Sequence, residues 1–164
     1  MEIDDNETVD RQDLIDFVWR EAEMLDRQDY DAWLDLWTED GIYIVPTACD
    51  ALDDYVAVVN IAYDDAEMRA ARIKRLASGF ATSSAPSART ARTVSRFVID
   101  RLNANVVEVR TAMILAEYKY QRMRTMAANV DYRLETRGGR LMLKRKVVRL
   151  ISAEDYQHGI GYLF

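Results

Sequence analysis

Three features of the sequence predict an α+β fold, with helices packed on one side of a long, curved, mainly antiparallel (mixed) sheet. Apolar residues recur at three- and four-residue spacing through the N-terminal part of the chain. From residue 92 onward the pattern changes to long runs rich in Val, Ile, Leu, Thr, Tyr and Met. Short breaks separate those runs, and the Gly138-Gly139 break can take the positive φ of a type I′ hairpin turn. Helices followed by long strands define the class. Strands this long must curl, so sheet and helices together enclose a cone-like pocket. One domain spans 1–164, with residues 1–9 as a loosely held tail.

The elements follow in order. Residues 10–28 read as a helix, because Asp10 can cap its start and Ile15, Val18, Ala22 and Leu25 keep helical spacing. A second helix is expected over 29–38, with Tyr30, Trp33, Leu34 and Trp37 on one face, until Gly41 breaks it. Ile42-Tyr43-Ile44-Val45 before Pro46 reads as a short strand. Residues 47–65 mix Asp, Ala and Tyr and read as a loop with some strand or helical turn. A third helix is expected over 66–78, and Ala81 to Ala88, broken by Pro86, as a loop. Strands are expected over 92–101, 105–120, 122–137 and 140–152, with bends at Asn103-Ala104-Asn105 and near Tyr120–Arg122.

Composition narrows the function. The chain has 164 residues, 49% of them hydrophobic, with 22 basic against 28 acidic residues and a net charge of −6. Such a surface repels phosphate, which argues against nucleic acid and anionic membranes as partners. There is one cysteine, Cys49, and one histidine, His158. One copy of the chain therefore cannot assemble a Cys/His zinc site, an iron–sulfur cluster or a two-histidine iron site. The acidic start lacks the basic, apolar character of an export signal, and no apolar run reaches the roughly 20 residues of a membrane span. A soluble, cytoplasmic protein is the expectation.

Few residues point to chemistry. Arg69 to Arg75 is basic and reads first as a solvated helix face, then as a dock for an acidic partner; no interleaved aromatics make it a nucleic-acid platform. Glu21 and Glu23, two apart on a helix, do not share a face and read, like Asp29 and Asp31, as solvated surface. In a cone-like pocket Tyr30, Asp40, Tyr43, Tyr118 or His158 could serve as acid or base, although a lone histidine is more often structural. Tyr30, Trp33 and Trp37 read as helix-to-sheet packing. Cys49 has no flanking base and reads as structural. The apolar run Ile160-Gly161-Tyr162-Leu163-Phe164 is expected to tuck against the sheet or another subunit.

Over residues 12–164 the chain resembles the small (beta) subunits of Rieske-type aromatic-ring-hydroxylating dioxygenases, a nuclear transport factor 2-like, scytalone dehydratase-like fold. The resemblance rests on Phe17 to Asp26, Asp31-Ala32-Trp33-Leu34, Thr38 to Tyr43 and Pro46 in the opening helices and first strand. It continues through Arg69 to Leu76, the Pro86-Ser87-Ala88-Arg89-Thr90 loop and Arg-Thr signature, and Leu141 to Val148 with the apolar tail. Within the family the pattern is most similar to the benzoate-type, aromatic-acid branch. Two positions depart from it: Arg92 stands where the family commonly has histidine, and Arg96 where asparagine is common.

The resemblance implies a structural, non-catalytic subunit of a terminal oxygenase component. In that family the large (alpha) subunit carries the two-iron, two-sulfur Rieske cluster and the mononuclear iron(II). The small subunits form a trimer, within a hexamer of three large and three small subunits. The complex adds both atoms of dioxygen to an aromatic ring with electrons from NAD(P)H. No catalytic, metal or cofactor residue is assigned to this chain; Arg89, Arg92, Arg96, Tyr162 and Phe164 are the candidate subunit contacts. Two other readings use the same fold: a stand-alone dehydratase or isomerase working with pocket Asp and Tyr residues, and a small-molecule-binding module. A deep, open cavity with a buried Asp or His beside a Tyr and a strongly shifted pKa would favour the enzyme, and a pocket blocked by apolar side chains would count against it.

Overall fold

The computed structural model describes residues 9–48, 54–82, 87–153 and 162–164. Helix α1 (Arg11–Arg27) begins where the sequence places it. Asp10 caps it in a capping box, its carboxylate accepting from the Asp13 N–H at 2.8 Å while the Asp13 carboxylate accepts from the Asp10 N–H at 3.0 Å. Leu14, Phe17, Val18, Ala22 and Leu25 give it a buried stripe, and Gln28 ends it in a left-handed conformation with φ 59°. Of the expected N-terminal tail, Val9 is described; it packs against the core, and its carbonyl accepts from Arg101.

The second helix is shorter than its apolar spacing implies. Helix α2 is Tyr30–Leu34, and Trp37 opens strand β1 (Trp37–Pro46). Trp37 pairs with Leu143 in a parallel ladder, so tertiary pairing overrides the local helical period there. Gly41 is inside β1 rather than a terminator. A Cβ at Gly41 would lie 2.8 Å from Trp37 Cε3 and 3.0 Å from the Leu143 carbonyl, so the strand closes on the sheet only with glycine there. The stretch read as a loop with some strand or helical turn contains β2 (Asn60–Asp64), and α3 runs Ala66–Thr82, past its expected end. Cys49, Pro86 and His158 lie outside the described residues.

Four long strands follow: β3 (Arg89–Arg101), β4 (Val106–Lys119), β5 (Arg122–Arg137) and β6 (Arg140–Leu150). The sheet order is β2-β1-β6-β5-β4-β3, antiparallel throughout except for the parallel β1–β6 pair. Gly138 and Gly139 have φ of +55° and +75°, as the type I′ hairpin requires. The β4–β5 turn has the same handedness with no glycine: Tyr120 and Gln121 sit at φ 52° and 60°.

The helices cover one face of this sheet, and the core lies between. Trp33, Trp37 and Tyr43 meet edge-to-face at centroid distances of 5.2, 6.0 and 6.4 Å, the helix-to-sheet packing expected of these aromatics. Helix α1 also guards the free edge of β3. The Trp19 indole N–H donates to the Val94 carbonyl at 3.1 Å, Asp26 accepts from the Arg92 backbone N–H at 2.8 Å, and Arg11 donates to the Phe97 carbonyl at 3.3 Å. Backbone groups that would otherwise recruit another strand are thus satisfied within the chain.

Candidate functional site

The centre of the cone is polar. Val18, Glu21, Ala22 and Leu25 share the buried stripe of α1, so Glu21 enters the core with no exposed surface. Strand β6 alternates, and its register with Tyr132 of β5 and Tyr43 of β1 directs Lys146 onto the same covered face. Lys146 Nζ donates to Glu21 Oε1 at 2.7 Å, and the Trp33 indole N–H donates to the same oxygen at 2.7 Å. Lys146 also donates to the Phe164 carbonyl at 2.7 Å, while the Phe164 N–H donates to the Tyr43 hydroxyl at 3.0 Å. Lys146 lies 5.4 Å from the Tyr132 ring centroid. The Tyr132 hydroxyl and Glu21 Oε2 are buried without a hydrogen-bond partner among the described residues.

Burial sets the protonation of this cluster. It pushes the Tyr43 and Tyr132 hydroxyls well above the usual tyrosine range, with the Glu21 charge adding to the shift. Burial also lowers the Lys146 ammonium, and the Glu21 carboxylate opposes that. A carboxylate beside two tyrosines could in principle move protons, as a cone-fold dehydratase would require. Here the groups that would hold a substrate are occupied by the chain's own last residues: Lys146 and Tyr43 bind the backbone of Phe164, and Arg92 donates to the Leu163 carbonyl.

The expected contact residues fall into two places. Arg92 replaces the family's histidine on β3; its side chain is 1% exposed, paired with Asp26 and aimed at the tail. Tyr162 and Phe164 stack edge-to-face at 5.8 Å, and burial together with neighbouring Glu117 raises the Tyr162 hydroxyl. Leu163 and Phe164 are buried, so the expected tucking of the tail occurs within this chain. Arg89 and Arg96 lie on the other side of β3. Arg89 sits over the Tyr118 ring at 4.9 Å, and Arg96, at φ 56° beside a β-bulge, donates to Asn129 Oδ1 at 2.6 Å.

Several readings of single residues are corrected. Glu21 is not solvated helix surface, although Glu23 is, pairing with Arg27. The signal was present: Glu21 stands three after Val18 and four before Leu25, within the apolar stripe. Nor is Arg69 to Arg75 wholly a solvated face. Arg69 is buried, 4.1 Å over the Trp37 ring, and donates to the Gly41 carbonyl; Arg72 forks onto buried Asp64. Asp40 does not face the cone. It is held by Lys144 and Arg137 at the surface, and the Lys144 hydrogen bond lowers its pKa to about 2. Tyr118 points to the uncovered face. Lys146 was missed because its place in Arg145-Lys146-Val147-Val148 gives no sign of which face a lysine takes.

The chain's residues do not fit the iron centres of ring-hydroxylating enzymes. Cysteine and histidine occur once each, so neither a two-cysteine, two-histidine Rieske set nor a two-histidine, one-carboxylate iron site can form in one chain. Among the described residues, no three His, Cys, Asp or Glu side chains lie where they could share a metal ion. No described helix is long and apolar enough to cross a membrane.

Fold and interior together define a nuclear transport factor 2-like cone filled by its own C-terminal residues. The family model described as "Ring hydroxylating beta subunit" matches residues 20–154, and the chain belongs to that family. It is 30% identical over 142 residues to the small oxygenase component of the p-cumate 2,3-dioxygenase system of Pseudomonas putida, covering 84% of this chain and 77% of that protein. The crystal structure of the benzoate 1,2-dioxygenase beta subunit of Burkholderia mallei superposes with a TM-score of 0.80 at 23% identity, covering 96% and 99% of the two chains. An NTF2-like protein with a cystatin-like fold from Novosphingobium aromaticivorans gives 0.61 at 16% identity over 87% and 82%. The expected fold and family hold.

Proposed function

We propose that this chain is the small, structural subunit of the terminal oxygenase component of an aromatic-ring-hydroxylating dioxygenase. It supports an iron-containing large subunit in the catabolism of an aromatic compound, most simply an aromatic acid of the kind the p-cumate relative's system handles. Family membership across residues 20–154 carries the reading. The interior supports it, because among the described residues Lys146, Tyr43 and Arg92 are bound to the backbone of Leu163 and Phe164. The same observation counts against a stand-alone dehydratase or isomerase.

In this reading the Rieske cluster, the mononuclear iron and substrate selection belong to the large subunit. Three copies of this chain associate with three large subunits in the cytoplasm. Arg89 and Arg96, on the uncovered side of β3, lie at subunit contacts, whereas Arg92, Tyr162 and Phe164 shape the protein by fixing its tail. Co-expression with the large subunit encoded beside it tests the reading. An equimolar complex that oxidises an aromatic acid when supplied with its reductase is the expected result. Failure of the two chains to associate, or turnover by this chain alone, contradicts it.

A further inference from the structure

Helix α1 reaches Leu163 and Phe164 through two cations of the sheet, and the two connections have the same form. In the first, Glu21 of α1 accepts from Lys146 of β6 at 2.7 Å, and Lys146 donates onward to the Phe164 carbonyl at 2.7 Å. In the second, Asp26 of α1 pairs with Arg92 of β3, and Arg92 donates onward to the Leu163 carbonyl. Each is a carboxylate, a buried cation and a backbone carbonyl in series. Lys146 and Arg92 stand on strands three apart in the sheet order, about 14 Å from each other across it, yet they end on consecutive carbonyls. The Leu163-Phe164 segment is therefore the point where the middle and the edge of the sheet are tied to one helix.

Burial makes these connections depend on that segment. The Lys146 and Arg92 side chains are 0% and 1% exposed, so water replaces a lost acceptor only through a local opening. An apolar filling would hold the cone at least as well, because buried ion pairs seldom add stability over hydrophobic residues. What the charges add is conditionality. With Leu163 and Phe164 seated, each cation has an acceptor on both sides. With them withdrawn, each keeps its carboxylate but turns an unpaired donor into the core, and relief comes from swinging toward water. Arg92 has the nearer exit, since the Asp26 side chain beside it is 22% exposed.

The Arg92 connection ends where α1 guards the sheet. Asp26 accepts from the Arg92 side chain, from the Arg92 backbone N–H at 2.8 Å and from the Thr90 hydroxyl at 2.8 Å. Two turns earlier on the helix, the Trp19 indole N–H holds the Val94 carbonyl at 3.1 Å. Asp26 is the joint between the filled interior and the closed edge of β3.

We propose that Leu163 and Phe164 are a latch: seated in the cone they hold α1 against β3 through Arg92 and Asp26, and withdrawn they free that edge of the sheet. Hydrogen exchange in the full chain, read by NMR, tests it at the Trp19 indole N–H and the Arg92 amide. The Val130 amide, on β5 between two paired strands, is the reference for global unfolding. Leu163→Asp places a charge at a position only 2% exposed and drives the segment out. Exchange at Trp19 and Arg92 is expected to rise about tenfold beyond any change at Val130, the worth of one charge-assisted hydrogen bond. In an Arg92→Met background the same substitution is expected to add nothing at Trp19 beyond the change at Val130, because the connection is already cut. Lost packing alone would act equally in both backgrounds. If Leu163→Asp fails to fold, Leu163→Ala gives the same pattern at smaller amplitude. No selective acceleration at Trp19 and Arg92, or an undiminished effect in the Arg92→Met background, overturns the latch.

Discussion

Lys146 and Arg145 are neighbours on β6 and occupy opposite surroundings. Lys146 faces the cone, fully buried, bound to Glu21 and to the Phe164 carbonyl. Arg145 faces outward, shares Glu108 with Arg133 at partly exposed positions, and lies 6.0 Å from the Tyr55 ring. The pattern extends across the sheet. Inside, each charge has a partner from a distant part of the chain: Glu21 with Lys146, Arg92 with Asp26 and the Leu163 carbonyl. Outside, charges gather in a screened network at one end of the strands, and uncharged surface is left bare at β2 and around Ile114. The covered face fixes one conformation; the open face leaves apolar side chains in contact with solvent.

The sharpest way to break this contrast is at Lys146. Lys146→Met strands the Glu21 charge in the core, and a loss of about 3–5 kcal/mol is expected from urea unfolding. Glu21→Leu combined with Lys146→Met should regain most of it. A single-variant cost below about 1 kcal/mol would mean the cluster is wetter than its burial implies.

Phe164→Ala is expected to cost about 3 kcal/mol by removing a buried ring from the cone. The equivalent truncation outside, Ile114→Ala, should leave the isolated chain within about 0.5 kcal/mol of wild type. Similar costs at the two positions would erase the distinction between the faces.

A pH titration probes the covered face without mutation. Tyr30, Tyr43, Tyr132 and Tyr162 have raised pKa values, each chiefly from burial, so the native state keeps protons that the unfolded state releases near pH 10. Their contribution is complete below pH 10 and is lost above it, by up to about 1.4 kcal/mol per group per pH unit. Absorbance at 295 nm should show these four ionising only with unfolding. Ionisation of these four in the folded protein would contradict the dry interior.

The smallest effect concerns the two hairpins. Replacing Tyr120-Gln121 by Asn-Gly should stabilise the chain by about 1 kcal/mol in thermal unfolding, and Gly139→Ala should destabilise it by a similar amount. A destabilising Asn-Gly replacement would show that the strained turn is held by contacts within the chain.

Period, caps and turn residues made much of this fold legible. Asp10 marked the start of α1, Gly138-Gly139 marked the last hairpin, and β5 runs over the residues expected of it. The errors came where a distant strand decides the conformation. Trp37 has helical spacing from Trp33, yet it pairs with Leu143, more than a hundred residues later. Strand β2 is too short and mixed for its place within the expected loop to be read. The polar interior was hidden for a related reason: a Glu or Lys on a buried stripe looks like surface until its partner is known, and Glu21 and Lys146 stand at opposite ends of the chain. The ligand deficit, by contrast, needed no structure, since it follows from one cysteine and one histidine.

Native mass spectrometry of this chain co-expressed with its large subunit, with iron measured on the separated chains, tests the central claim most directly. The account predicts equal numbers of the two chains in one complex, all of the iron in the large subunit, and aromatic oxidation by the complex with its reductase but not by this chain. Iron retained by this chain, or a large subunit that assembles and turns over without it, would contradict the account.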